Sequence, residues 1–154
     1  MSEVIITLPN EFVNNYAITS ADAEPVQMDG QILVPFAVES ALSGVGRFVA
    51  ENEALWYERE FTVPRDWAGD RVLLNFGAVD WKAEVYVDGQ LAGEHTGGYV
   101  PFSFDITSLI AENGNYITVY AEHDVRSERP VAGKQSDRLR SYGCSYTRTT
   151  GIWQ

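Results

Sequence analysis

Residues 72–107 read VLLNFGAVDWKAEVYVDGQLAGEHTGGYVPFSFDIT, and this stretch decides the fold class. Arg71–Phe76 is predicted to be a strand with Val72, Leu74 and Phe76 inward, and Gly77-Ala78 breaks the pattern. Val85 and Val87 repeat the pattern over Ala83–Asp88. Asp88-Gly89 is a two-residue hairpin signal, so Gln90–His95 is expected to return antiparallel. Gly97-Gly98 lets the backbone bend closely before Val100, Phe102, Phe104 and Ile106, whose period of two predicts a further strand with those residues inward.

Working outward, Leu55–Val63 alternates with Leu55, Tyr57, Phe61 and Val63 on one face and Glu58, Glu60 and Thr62 on the other. Trp56 falls on the wet face and Arg59 on the apolar one. Trp56 is read as packed beneath a neighbouring loop or, in the alternative, as a ring for ligand contact. Pro64–Asp70 is a turn, Thr107–Ala111 is a helical turn at most, capped by Asp105 or Thr107, and Tyr116–Asp124 is a strand with Ile117, Val119 and Ala121 inward. Gln31–Phe36 is an edge strand or strand end because Pro35 cannot donate to a ladder. Residues 1–30 read as an extended, surface-hugging lead-in, residues 31–154 as the domain proper, and residues 125–145 as a long irregular excursion before a last strand start at Thr149–Gln154. Short strands, close turns and no βαβ alternation predict an all-β, antiparallel two-sheet sandwich of the jelly-roll, galactose-binding-domain-like kind.

Composition agrees and excludes several functions. A single cysteine, Cys144, allows no internal disulfide and is compatible with a reducing compartment. The first residues, MSEVIITLPNEF, show neither a basic start nor a long apolar run, so neither a signal peptide nor a membrane span is expected. A net charge of −11 argues against nucleic acid as a partner. Six of the eleven basic residues lie between Glu122 and Arg148, so a basic loop region sits on an acidic body. His95 and His123 have no clustered ligand pattern, which argues against zinc; the acidic body leaves room for a structural calcium ion, without a spaced Asp/Asn loop to specify it. No phosphate loop or nucleotide fingerprint is present, and no cofactor is expected.

Six ordered motifs carry a resemblance: ILVPFAVESALSGV (32–45), LWYEREFTVP (55–64), LLNFGAVDW (73–81), VYVDGQLAGEHTGGYVPFSFDIT (85–107), GKQ (133–135) and YTRTTGIWQ (146–154). Together they resemble the N-terminal sandwich, sugar-binding domain of glycoside hydrolase family 2, the β-galactosidase and β-glucuronidase family. The resemblance implies a jelly-roll domain that is followed, in complete enzymes, by an immunoglobulin-like domain and a catalytic (β/α)₈ barrel carrying both catalytic glutamates. On that reading this chain has no catalytic residue of its own, and it contributes a loop to a pocket for a terminal β-linked sugar such as a β-galactoside. It also implies truncation at both ends relative to the family.

Relatives often carry a carboxylate six residues before the glycine of the last motif, where it contacts sugar hydroxyls; here that position is Ser145, a neutral hydrogen-bonding residue. Asp124, Lys134, Gln135 and Arg148, on the same excursion, are the further candidates for sugar contact. Alternatives are a stand-alone carbohydrate-binding module with Trp56 or Trp67 as its aromatic platform, and a ligand-free assembly fragment. Strand carboxylates such as Glu58 and Glu60 read as a solvated face and offer no acid and nucleophile pair.

Overall fold

A computed structural model describes residues 3–6, 12–112, 114–123, 133–138 and 140–154. The strands are β1 (Glu3–Ile6), β2 (Phe12–Ser20), β3 (Gly30–Val34), β4 (Glu53–Phe61), β5 (Arg71–Phe76), β6 (Val79–Asp80), β7 (Lys82–Val87), β8 (Gln90–Thr96), β9 (Phe102–Asp105), β10 (Asn115–Glu122) and β11 (Gly151–Ile152). Two 3-10 turns, Ala41–Ser43 and Arg65–Trp67, are the helical elements among the described residues.

Six strands in the order β3-β2-β4-β10-β7-β8 form one sheet, and β1-β5-β9 form the facing one, with β11 and β6 pairing beside them. All these pairings are antiparallel except β1 with β5, which is parallel. The antiparallel two-sheet sandwich expected from the alternation is therefore present. Its core lies where Leu55, Tyr57, Val85, Val87 and Val119 of the large sheet meet Val72, Leu74 and Phe76 of the small one, all buried, as period-two patterning requires.

The β7–β8 hairpin turns at Asp88 and Gly89 with φ of 48° and 76°, the two left-handed residues of a type I′ turn, so the Asp-Gly signal is borne out. Farther along β8, a Cβ at Gly93 would collide with the ring of Phe104, and only glycine lets the edge of the large sheet close over β9.

Three local expectations change. Residues 12–20 are not part of a lead-in lying on the surface: β2 is interior to the large sheet, hydrogen-bonded to both β3 and β4. Its alternation was hidden by Asn14 and Asn15, of which Asn14 is buried. Val100 is exposed, and the strand expected from it begins at Phe102. The outer face of β4 is not simply wet either. Trp56 is 8% exposed and packs with Ala17, Ala54, Tyr120 and Met28 in a second, smaller apolar cluster. Its indole N–H donates to Thr19 Oγ1 at 3.0 Å and its ring meets Tyr120 edge-on at 5.0 Å. Arg59, in the inward row of β4, reaches past the sheet to the Val13 carbonyl.

Candidate functional site

Strands β4, β5 and β10 all end or begin at the same end of the sandwich, and polar side chains gather there. β5 leads through Gly77-Ala78 into β6, which places Asp80 at 2% exposure beneath the Gly97-Gly98 bend. A Cβ at Gly98 would stand 2.6 Å from Asp80 Oδ1, so glycine is what allows the bend to approach the carboxylate. β10 delivers His123, also buried, directly after Glu122.

Gln135 joins these to the chain's last segment. Its Nε2 donates to Asp80 Oδ2 at 2.8 Å, while its Oε1 accepts the Thr149 backbone N–H at 2.8 Å. His123 Nδ1 lies 3.2 Å from the Thr149 carbonyl and 3.3 Å from Asp80 Oδ1. A carbonyl can only accept, so Nδ1 carries the proton in this arrangement, and Nε2 is left buried with no partner among the described residues. Burial raises the Asp80 carboxyl above its ordinary value, and the nearby His123 and the Gln135 hydrogen bond pull against that rise.

A second carboxylate, half-buried, is held by the next residue of the same segment, Thr150. Glu39 accepts from the Thr150 N–H at 3.1 Å and from Thr150 Oγ1 at 2.5 Å. Desolvation pushes its pKa up to about 7, against the opposing pull of the Thr150 hydrogen bonds and the charge of Arg148. Arg148 itself is 4% exposed, and its Nε has no partner among the described residues. Tyr57 accepts the Ile152 N–H through its hydroxyl at 3.1 Å, and burial raises its pKa. The close pass of Gly151, at φ 85°, over that hydroxyl leaves no space for a side chain. At the rim, the Trp153 indole donates to the Gly98 carbonyl at 2.8 Å and meets Tyr99 edge-on.

The expected sugar contacts fall in different places. Gln135 and Arg148 are drawn into the buried end. Lys134 and Ser145 lie on the rim around it: the Lys134 carbonyl accepts the Tyr146 N–H at 2.7 Å, Gln135 bridges to Tyr146, and Ser145 exchanges backbone hydrogen bonds with Tyr142. Asp124 lies outside the described residues. The two tryptophans are elsewhere. Trp56 is enclosed on the outer face of the large sheet and offers no open ring to a ligand, because its burial and its bond to Thr19 hold it as a packing residue. Trp67 lies on the Arg65–Trp67 turn at the opposite end of β5. Sequence reasoning missed Asp80, His123 and Glu39. The signal for Asp80 was a carboxylate inside the otherwise apolar run GAVDW, where a buried charge requires partners.

No group of three or more His, Cys, Asp or Glu side chains that could hold a metal occurs among the described residues. No helix among them is long and apolar enough to cross a membrane.

The family described as glycosyl hydrolases family 2, sugar binding domain, matches residues 44–129. A β-galactosidase of Thermoanaerobacter pseudethanolicus is 44% identical over 86 residues, covering 54% of this chain and 12% of that protein. A β-glucuronidase of Paenibacillus borealis is 33% identical over 93 residues, covering 58% of this chain and 16% of its own length. Among solved structures, a β-glucuronidase of Faecalibacterium prausnitzii superposes with a TM-score of 0.62 at 24% identity, over 94% of this chain and 29% of that one, which is a likeness of fold. The matches thus span a small part of each relative. With more than half of its residues inside the family's sandwich domain, and with the motifs of that domain in order, the chain belongs to glycoside hydrolase family 2.

Proposed function

We propose that the chain is a carbohydrate-associated, non-catalytic sandwich domain of a family 2 glycoside hydrolase, shaping one side of a pocket for a terminal β-linked sugar such as a β-galactoside. The observation that carries this reading is the Asp80–His123–Gln135–Thr149 network. It pins the 133–150 segment, with Lys134 and Ser145 on its rim, to a rigid sandwich end. Loops fixed on a scaffold in this way are where recognition groups are held. The carboxylates of Asp80 and Glu39 are both committed to internal hydrogen bonds, which supports a positioning role over acid–base chemistry.

On this reading the hydrolytic residues lie in further domains of a parent polypeptide, an immunoglobulin-like one and a barrel, which pack against the Lys134–Ser145 rim. The test is to assay the 154-residue chain, and the longest open reading frame containing it, on aryl β-galactosides and aryl β-glucuronides. Hydrolysis by the longer product alone, with a KM raised severalfold by Lys134→Ala and kcat little changed, supports the proposal. Turnover by the chain by itself, or a longer product inert on both substrates, overturns it.

A further inference from the structure

A cavity of about 580 Å³ opens at the far end of the sandwich, between the Arg65–Trp67 turn and the Ile110–Glu112 segment. Its distance from the Asp80 network follows from the strands that link the two. β5 begins beside Asp70 at the cavity and ends at Phe76 ahead of Asp80; β10 begins shortly after Glu112 and ends ahead of His123. Six residues of β5 span about 20 Å, so no single sugar touches both places.

The cavity is built, with both walls tied by hydrogen bonds. On one wall the 3-10 turn is closed by Trp67 N–H to Pro64 O at 3.0 Å and Asp70 N–H to Trp67 O at 3.0 Å. On the other, the fully buried Asn115 side chain accepts the Ala111 N–H at 2.6 Å and donates back to the Ala111 carbonyl at 3.2 Å. Walls fixed before a ligand arrives lower the ordering cost of binding, and the volume is in the range of small-ligand sites, roughly 300–1,000 Å³.

The lining has the chemistry of a sugar site. Trp67, Val63 and Ile110 supply an apolar surface, and Trp67 is only half-buried. Aromatic and aliphatic surface suits the C–H face of a pyranose. No described residue accepts a hydrogen bond from the Trp67 indole N–H, and neither Arg65 nor Glu112, both exposed on the rim, has an ion-pair partner among the described residues. A guanidinium donates to hydroxyls, and a carboxylate accepts two from a vicinal diol. The chain's net charge of −11 sets a negative field around the cavity, which disfavours a uronate and favours an uncharged sugar.

We infer that this cavity is a second carbohydrate site, separate from the pocket proposed above, which takes a neutral pyranoside against the Trp67 indole. The site would hold a glycan chain or product on the domain's far end while the first pocket is engaged.

The experiment is a titration of the 154-residue chain with methyl β-galactopyranoside, lactose and glucuronate, read by calorimetry and by the NMR shift of the Trp67 indole N–H. Saturable millimolar binding of a neutral sugar, with glucuronate at least tenfold weaker, is expected. Trp67→Ala should weaken it at least tenfold. Glu112→Gln, an exposed change that leaves the fold intact, should weaken it severalfold. The proposal is overturned if neither neutral sugar saturates by about 50 mM, if glucuronate binds as well as they do, or if binding persists in both variants. Binding that Gln135→Ala removes and Trp67→Ala spares also overturns it, since that sugar sits at the other end.

Discussion

Gln135 donates to Asp80 across 2.8 Å, although fifty-five positions separate them in the chain, and its other amide atom holds the Thr149 backbone. One side chain thus fixes a strand end, a loop and the approach to β11. Gln135→Ala should leave the Asp80 carboxylate and the Thr149 N–H short of a partner each. The expected cost is about 1–3 kcal/mol in urea unfolding, with faster amide hydrogen exchange at Thr149 and unchanged exchange in β7. Equal protection at Thr149 in both proteins would mean that the loop is held by something other than Gln135.

Glu39 makes stability depend on pH in a definite direction. Its folded pKa, about 7, lies above the ordinary 4.5, so between those values the folded state binds more protons than the unfolded one. Stability is therefore fully present below pH 4.5, declines as pH rises, and levels off above pH 7. The contribution of this group is on the order of 3 kcal/mol. Asp80 is shifted in the same direction by burial and adds to the slope. Denaturant unfolding of Glu39→Gln between pH 4.5 and 7.5 should show a markedly flatter profile than the parent; parallel profiles would mean that Glu39 titrates normally.

Two glycines separate backbone strain from contact. Gly89 and Gly151 have similar positive φ, 76° and 85°, but a Cβ at Gly89 meets open space, whereas one at Gly151 strikes the Tyr57 hydroxyl and lies 2.9 Å from Leu55. Both alanine variants carry the left-handed cost of about 1–2 kcal/mol. Gly151→Ala should lose a further ~1–3 kcal/mol through overpacking, and thermal unfolding should rank the two accordingly. Equal losses would show that the β11 segment yields without disturbing Tyr57.

Trp56 should behave as a packing residue. Trp56→Ala removes the centre of the cluster with Ala54 and Tyr120 and should cost about 3–5 kcal/mol. Thr19→Val, which takes away the acceptor of the indole N–H together with the hydroxyl's donation to the Ala23 carbonyl, should cost about 1–2 kcal/mol. Neither change should alter sugar affinity in the fraction that stays folded, as calorimetry of Trp56→Phe would check.

Local pattern was enough wherever a strand had one apolar face. The alternation at Leu55, Tyr57 and Phe61, the Asp88-Gly89 turn and the Phe102–Ile106 run depend only on neighbours in sequence, so the sandwich and its central hairpin were legible, as was the family from six motifs in order. The pattern failed at β2, where Asn14 is buried among strands it meets only in the folded sheet. The sites lay further out of reach. Gln135 and Lys134 could be named as polar residues of a basic excursion, but nothing local distinguishes the one that bonds Asp80 from the one whose side chain stays exposed. Asp80 and His123 meet at Thr149, and Glu39 meets the neighbouring Thr150, only because β6, β10 and the Val38–Ser40 turn come to the same last segment, and burial there, a property of the tertiary structure alone, raises the pKa of the Asp80 and Glu39 carboxyls. The sequence by itself determined the layers, since side-chain period is a local property; the tertiary structure decided the sites, since each is assembled from segments that meet only when the two sheets close.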